Sequence, residues 1–97
     1  MISHVVIFKF SDPYSQEVEN VYKKLQSLSG KVPQLRQLEV GRNIVQSKRA
    51  YDLALVAKFD SLQDLEAYEI HPYHKEVARY VRSIAFNIIS VDYETFN

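Results

Sequence analysis

The stretch ISHVVIFKF, residues 2–10, alternates in a way that decides the fold. Ile2, His4, Val6, Phe8 and Phe10 fall on one side, and Ser3, Val5, Ile7 and Lys9 fall on the other. Such a strand has two largely apolar faces, and each face needs a cover. A strand covered on both sides sits in a layered protein, where helices shield one face and something else shields the other.

The residues that follow supply the helices. Ser11-Asp12-Pro13 predicts a helix entry, since Asp can cap free amides and Pro tolerates the first turn. Val18, Val21, Tyr22, Leu25 and Leu28 recur at helical spacing up to Gly30, which predicts one amphipathic helix over roughly 14–29. Leu38, Val40 and Ile44 suggest a second strand, with Gly41 as a possible bulge. Residues 46–50 are polar and charged and read as a hairpin loop. Tyr51 to Phe59 resumes a strand with Tyr51, Leu53, Leu55, Ala57 and Phe59 on one face.

Ser61 with Asp64 resembles a capping box at the start of a second helix, which carries Leu62, Leu65 and Tyr68. Pro72 interrupts that helix. Val77, Tyr80, Val81 and Ile84 then predict a restart at Pro72 with His71 near its cap, and Phe86 to Tyr93 reads as the last strand. On that strand Phe86, Ile88 and Ser90 oppose Ile89, Val91 and Tyr93.

The order βαββαβ predicts an α+β, ferredoxin-like domain over residues 1–97, with a four-stranded antiparallel sheet and both helices on one face. Val5, Ile7, Ile89, Val91 and Tyr93 would then form a second apolar surface that the helices cannot reach. An exposed patch of that kind calls for another copy of the chain, so the expected partner is the protein itself, packed sheet to sheet in a homodimer.

Composition narrows the function further. Twelve basic and twelve acidic residues cancel, so no overall field draws the chain to nucleic acid or an anionic membrane. The third strand, YDLALVAKF, lacks the basic-Gly-aromatic signature of the RNA-binding module that shares this element order. Cysteine is absent, which excludes disulfides, thiolate metal sites and cysteine nucleophiles. No apolar run is long enough to span a membrane, and the first ten residues carry no basic leader, so a cytoplasmic location is expected.

The chemically suggestive tract is YEIHPYH, residues 68–74, which holds two of the three histidines. His71 before Pro72 reads most simply as a cap or hinge. His71 and His74 could share a helix face, but no third ligand is indicated, and no metal is expected.

The motifs HVVIFKF, YDLALVAKF, SLQDLEAYEIHPYH and VDYE, in that order, resemble the stress-responsive dimeric α/β barrel (Dabb) family over nearly the whole chain. The resemblance implies the fold and the dimer. It also implies candidate residues, because a plant member closes a linear polyketide by a cofactor-independent aldol condensation. The catalytic pair of that enzyme corresponds to Tyr68 and His74, with His4 at the place of a pocket histidine. The implied pocket lining is Val6, Phe8, Leu25, Leu55, His71, Ala85 and Ile88. Leu25 replaces an aromatic and Ala85 a large indole, so the ligand need not be the same.

Two functions stay open. A neutral imidazole can take a proton from carbon beside a carbonyl, and a phenol can hydrogen-bond the oxyanion that develops. That suits a cofactor-free cyclase, isomerase or lyase acting on a small apolar or carbonyl-containing molecule. The same residues also suit a non-catalytic ligand-binding or stress-protective dimer, with Tyr68 and His71 as packing and hinge elements.

Overall fold

The computed structural model describes residues 1–96, so the expected span of 1–97 runs one residue beyond it. The elements are β1 (Ile2–Lys9), α1 (Gln16–Gln26), β2 (Gln37–Arg42), β3 (Leu53–Phe59), α2 (Leu62–Ile70), α3 (Pro72–Ile84) and β4 (Asn87–Glu94). The four strands form one antiparallel sheet in the order β2-β3-β1-β4. This is the ferredoxin-like arrangement, with the central position held by the two most apolar strands.

Register makes the face assignment explicit. His4 lies opposite both Ala57 and Asp92, Val6 opposite Leu55 and Ser90, and Phe8 opposite Leu53 and Ile88. All of these share the helix side, because directly opposed residues point the same way. Against them pack Val18, Val21 and Leu25 of α1, Leu65 and Tyr68 of α2, and Val77 and Val81 of α3, all buried. Each such apolar side chain contributes about 1.5–3 kcal/mol relative to exposure.

The other side of the sheet carries Val5 and Ile7, half-buried, beside Ile89, Val91 and Tyr93, which are 46%, 56% and 50% exposed. Val5 sits between Val56 and Val91, and Ile7 between Ala54 and Ile89. A continuous apolar strip therefore runs across three strands.

Several element boundaries differ from the sequence expectation. α1 is shorter than residues 14–29 because the Asp12 carboxylate accepts the Tyr14 N–H at 3.0 Å, which closes a turn ahead of the helix. Ser15 then takes the cap position with extended backbone. At the other end Leu28 and Ser29 bond three residues back, to Leu25 and Gln26, and the tightened segment reaches Gly30 at φ 81°. Gly41 makes no bulge. It pairs directly with Ala54 in an unbroken register, and Ile44 lies beyond the strand, 91% exposed.

β3 begins at Leu53 rather than Tyr51, since Asp52 turns its carboxylate onto the Phe10 N–H at 2.8 Å. Leu62 is 61% exposed at the start of α2, outside the buried stripe of Leu65 and Tyr68. Phe86 precedes β4 and is 71% exposed, so it does not join Ile88 on the helix side.

Candidate active site

Helices α1 and α3 stand off the sheet enough to leave a cavity of about 310 Å³. This lies at the small end of the range for ligand sites, about 300–1,000 Å³. Alternate residues of β1 form the floor, His4, Val6 and Phe8, flanked by Leu55 on one side and by Ile88 and Ser90 on the other. Leu25 and Leu28 close it from the α1 side, and Val77, Ala78 and Val81 from α3. Tyr68 and His74 line it side by side, and Glu69 and Arg82, both exposed, are its two solvent-facing charged lining residues.

The break at His71–Pro72 is what aims Tyr68 and His74 at each other. His71 has an extended backbone, φ −62° and ψ 134°, as a residue before proline prefers, so α2 ends and α3 starts in a new direction. Its Nδ1 accepts the Tyr73 N–H at 3.1 Å and caps α3, while Pro72 fills the first helical position, where no N–H is needed. The Tyr68 and His74 rings then meet from two helices, with centroids 4.3 Å apart and a tilt of 49°.

His74 is oriented by the Glu69 backbone carbonyl, 3.2 Å from its Nδ1. A carbonyl only accepts, so in the neutral ring Nδ1 donates and Nε2 carries the free lone pair. Burial lowers the His74 pKa below the ordinary 6.5; the Glu69 carbonyl opposes that shift, and His4, Arg82 and His71 add to it. The imidazole is therefore neutral near pH 7.

Tyr68 is 1% exposed and packs against Phe59, with ring centroids 4.9 Å apart. Burial, with the Glu69 charge second, raises its pKa well above the ordinary 10.0. It stays a phenol, able to donate. A neutral base and a neutral donor side by side in an apolar recess are the parts an enolate needs.

His4 lies 6.1 Å from Tyr68, edge to face, and its Nδ1 is paired with the Asp92 carboxylate. That carboxylate fixes the Nδ1–H tautomer and leaves Nε2 as acceptor. Asp92 is absent from the sequence expectation. Its signal was available, since alternation on β4 continues from Ile88 and Ser90 to a carboxylate facing the one histidine of β1.

His4, Val6, Phe8, Leu25, Leu55, Tyr68, His74 and Ile88 thus come together around one space. His71 and Ala85 do not border it. His71 spends its ring on the cap, and Ala85 lies past the end of α3, where its N–H bonds the Val81 carbonyl. The stripe His74, Ala78, Arg82 along α3 was also missed, although its spacing of four is visible in the sequence. Among the described residues no three His, Cys, Asp or Glu side chains are grouped as for a metal ion, and no helix is long and apolar enough to cross a membrane.

Fold and site define a small ferredoxin-like α+β protein with a ligand-sized recess beneath its helices. The chain belongs to the Dabb family, the Stress responsive A/B Barrel Domain, which it matches over residues 2–95. It is similar to olivetolic acid cyclase of Cannabis sativa, with 23% identity over 95% of this chain and 94% of that protein. A dimeric ferredoxin-like protein of unknown function from Thermobifida fusca superposes with a TM-score of 0.85, at 25% identity over 97% of this chain and 90% of the other. The hydroxynitrile lyase of Passiflora edulis shares the fold at a TM-score of 0.83, with 17% identity over 99% of this chain and 96% of the lyase.

Proposed function

We propose that this protein is a homodimer in which each subunit binds a small carbonyl compound in the recess and moves a proton at the carbon beside the carbonyl. His74 Nε2 is the base, the Tyr68 hydroxyl donates to the developing oxyanion, and the His4–Asp92 pair orients the bound molecule. No redox or group-carrying cofactor is required by that step. The observation that carries this reading is the contact of Tyr68 with His74, whose Nδ1 is already committed to the Glu69 carbonyl. The apolar wall supports it, because a dry site strengthens the hydrogen bond to an oxyanion. Two proteins it resembles, a cyclase in sequence and a hydroxynitrile lyase in fold, are enzymes by name.

A simple ketone tests the chemistry without the natural substrate. Loss of the α-proton signal of 2-octanone in D₂O, followed by NMR, should be faster with the protein than with buffer, and His74→Ala should return it to the buffer rate. Equal exchange by protein and variant would remove His74 from the role of base.

A second reading has its own observation. Tyr68 is among the most buried side chains of the chain and packs its ring against Phe59, as a purely structural tyrosine would. On that reading the protein binds a ligand without converting it, and exchange stays at the buffer rate although 2-octanone occupies the recess.

The dimer reading rests on the apolar strip of Val5, Ile7, Ile89, Val91 and Tyr93 and on the dimeric state of the Thermobifida fusca protein. Two such sheets packed face to face would form the barrel of the family name.

A further inference from the structure

The recess carries one fixed charge of each sign in its lining. Two ionisable side chains, Glu69 and Arg82, border it besides the histidines and Tyr68. Arg82 takes part in none of the ion pairs among the described residues, although Glu19, Asp60 and Glu94 are each engaged by a cationic group and Asp92 by His4. Arginine so placed is an exposed cation without an ion-pair partner among the described residues, lining a largely apolar space.

Its position relative to His74 is fixed by the helix. His74, Ala78 and Arg82 follow one another at intervals of four along α3, so His74 and Arg82 are about 12 Å apart along the axis. Helical side chains lean towards the N-terminus, which inclines Arg82 back over Ala78. Alanine at 78 leaves the space between them open, and Ser90 lines the same recess from β4.

We infer that Arg82 and Ser90 form an anion subsite, and that the natural ligand is a small oxo acid. Its apolar carbon chain lies along Val6, Leu25 and Val81, its carbonyl reaches Tyr68 and His74, and its carboxylate binds Arg82. This rests on the reading of the recess as a ligand site and adds to it the class of molecule and its direction of entry. A guanidinium presents a planar fork that suits a carboxylate, and a serine hydroxyl can complete the set. Glu69 lines the recess beside Tyr68 and would repel a carboxylate presented there, so one orientation is favoured over the reverse.

Octanoate and octanamide are the probes, since they share a carbon chain and differ in charge. Calorimetric titration should show octanoate binding about tenfold more tightly, a modest factor because Arg82 is exposed and solvent screens the pair. Arg82→Gln should abolish that preference while octanamide still binds, and Arg82→Lys should retain part of it. Equal affinity for the two probes in the unmodified protein, survival of the preference in Arg82→Gln, or failure of both probes to bind would each overturn the inference. The 2-octanone exchange assay keeps the two readings apart. A protein that prefers octanoate through Arg82 but exchanges no proton has the subsite without the chemistry; a protein that exchanges protons but ignores probe charge has the chemistry without the subsite.

Discussion

Tyr68 and His74 face each other across a helix break, with ring centroids 4.3 Å apart, one ring on the last turn of α2 and the other on the first turn of α3. The intervening His71 and Pro72 stop one helix and cap the next. A continuous helix would place residues six apart on different faces, so the pair depends on the break. The proposed chemistry depends on the difference in what each ring holds: a lone pair on His74 and a proton on Tyr68.

The protonation of His74 gives the first expectation. Its pKa is lowered by burial, so the acid limb of any proton-transfer rate should lie below pH 6.5, and no alkaline limb should arise from Tyr68 below pH 10. Stability follows the same sign. A histidine depressed in the folded state binds fewer protons there than in the unfolded chain, so stability is full above pH 6.5 and is lost as pH falls from 6.5 through the folded value. Thermal melts from pH 7.5 to 5 should show the native protein losing more stability than His74→Gln, whose amide can still donate to the Glu69 carbonyl. Parallel losses in both proteins would contradict the lowered value.

Tyr68 separates packing from chemistry. Removing the ring in Tyr68→Ala should cost about 3–5 kcal/mol in denaturant unfolding, as for other buried aromatic side chains. Tyr68→Phe keeps the ring packed against Phe59 and should change stability by less than about 1 kcal/mol. If the hydroxyl serves the oxyanion, the same substitution should lower α-proton exchange by roughly 10²-fold. A Tyr68→Phe protein with full exchange activity would leave the tyrosine as a packing residue.

The His4–Asp92 pair makes a spectroscopic statement. With the carboxylate in place, the neutral His4 ring should carry its proton on Nδ1, which ¹⁵N shifts of the two ring nitrogens report directly. Asp92→Ala should shift the population towards the Nε2–H form and lower exchange activity about tenfold. An unchanged tautomer would mean that Asp92 does not set it. Asp92 lies on the edge strand β4 and is exposed, so little loss of fold stability is expected.

Fold and site were legible to different depths, for a physical reason. Alternation in ISHVVIFKF and helical spacing around Val21, Leu25, Val77 and Val81 report burial directly, and burial is what arranges the layers. Boundaries depend on single hydrogen bonds, such as Asp12 to the Tyr14 N–H and Asp52 to the Phe10 N–H, which leave no periodic trace. The recess falls between these cases. Val6, Phe8, Leu25 and Leu55 share faces that alternation and spacing identify, whereas Asp92 enters only through the register of β1 with β4. His71 was misplaced in the lining because its motif makes it look chemical, while the backbone beside proline takes its ring for a cap. Ala85 was misplaced because a residue at a helix end turns with the chain and not with the stripe before it.

The open sheet face yields the last expectation. Val91 is 56% exposed and lies opposite Val5, at the middle of a strip that continues through Val56 on β3. In a sheet-to-sheet dimer related by a two-fold axis, a residue at the centre of the strip meets the partner's strip, so a charge there is buried against apolar surface twice over. Desolvating each lysine against such a surface costs several kcal/mol, enough to dissociate a micromolar dimer. Val91→Lys should therefore shift the mass measured by light scattering from dimer to monomer. Its circular dichroism should stay native, because the helix-side core does not include Val91. The unmodified protein running as a monomer at micromolar concentration would end the dimer reading outright, and a Val91→Lys protein that remained dimeric would move the interface to another face. Tyr93, on the same side and opposite Ser3, offers the control: Tyr93→Phe keeps the apolar area and should leave the dimer intact.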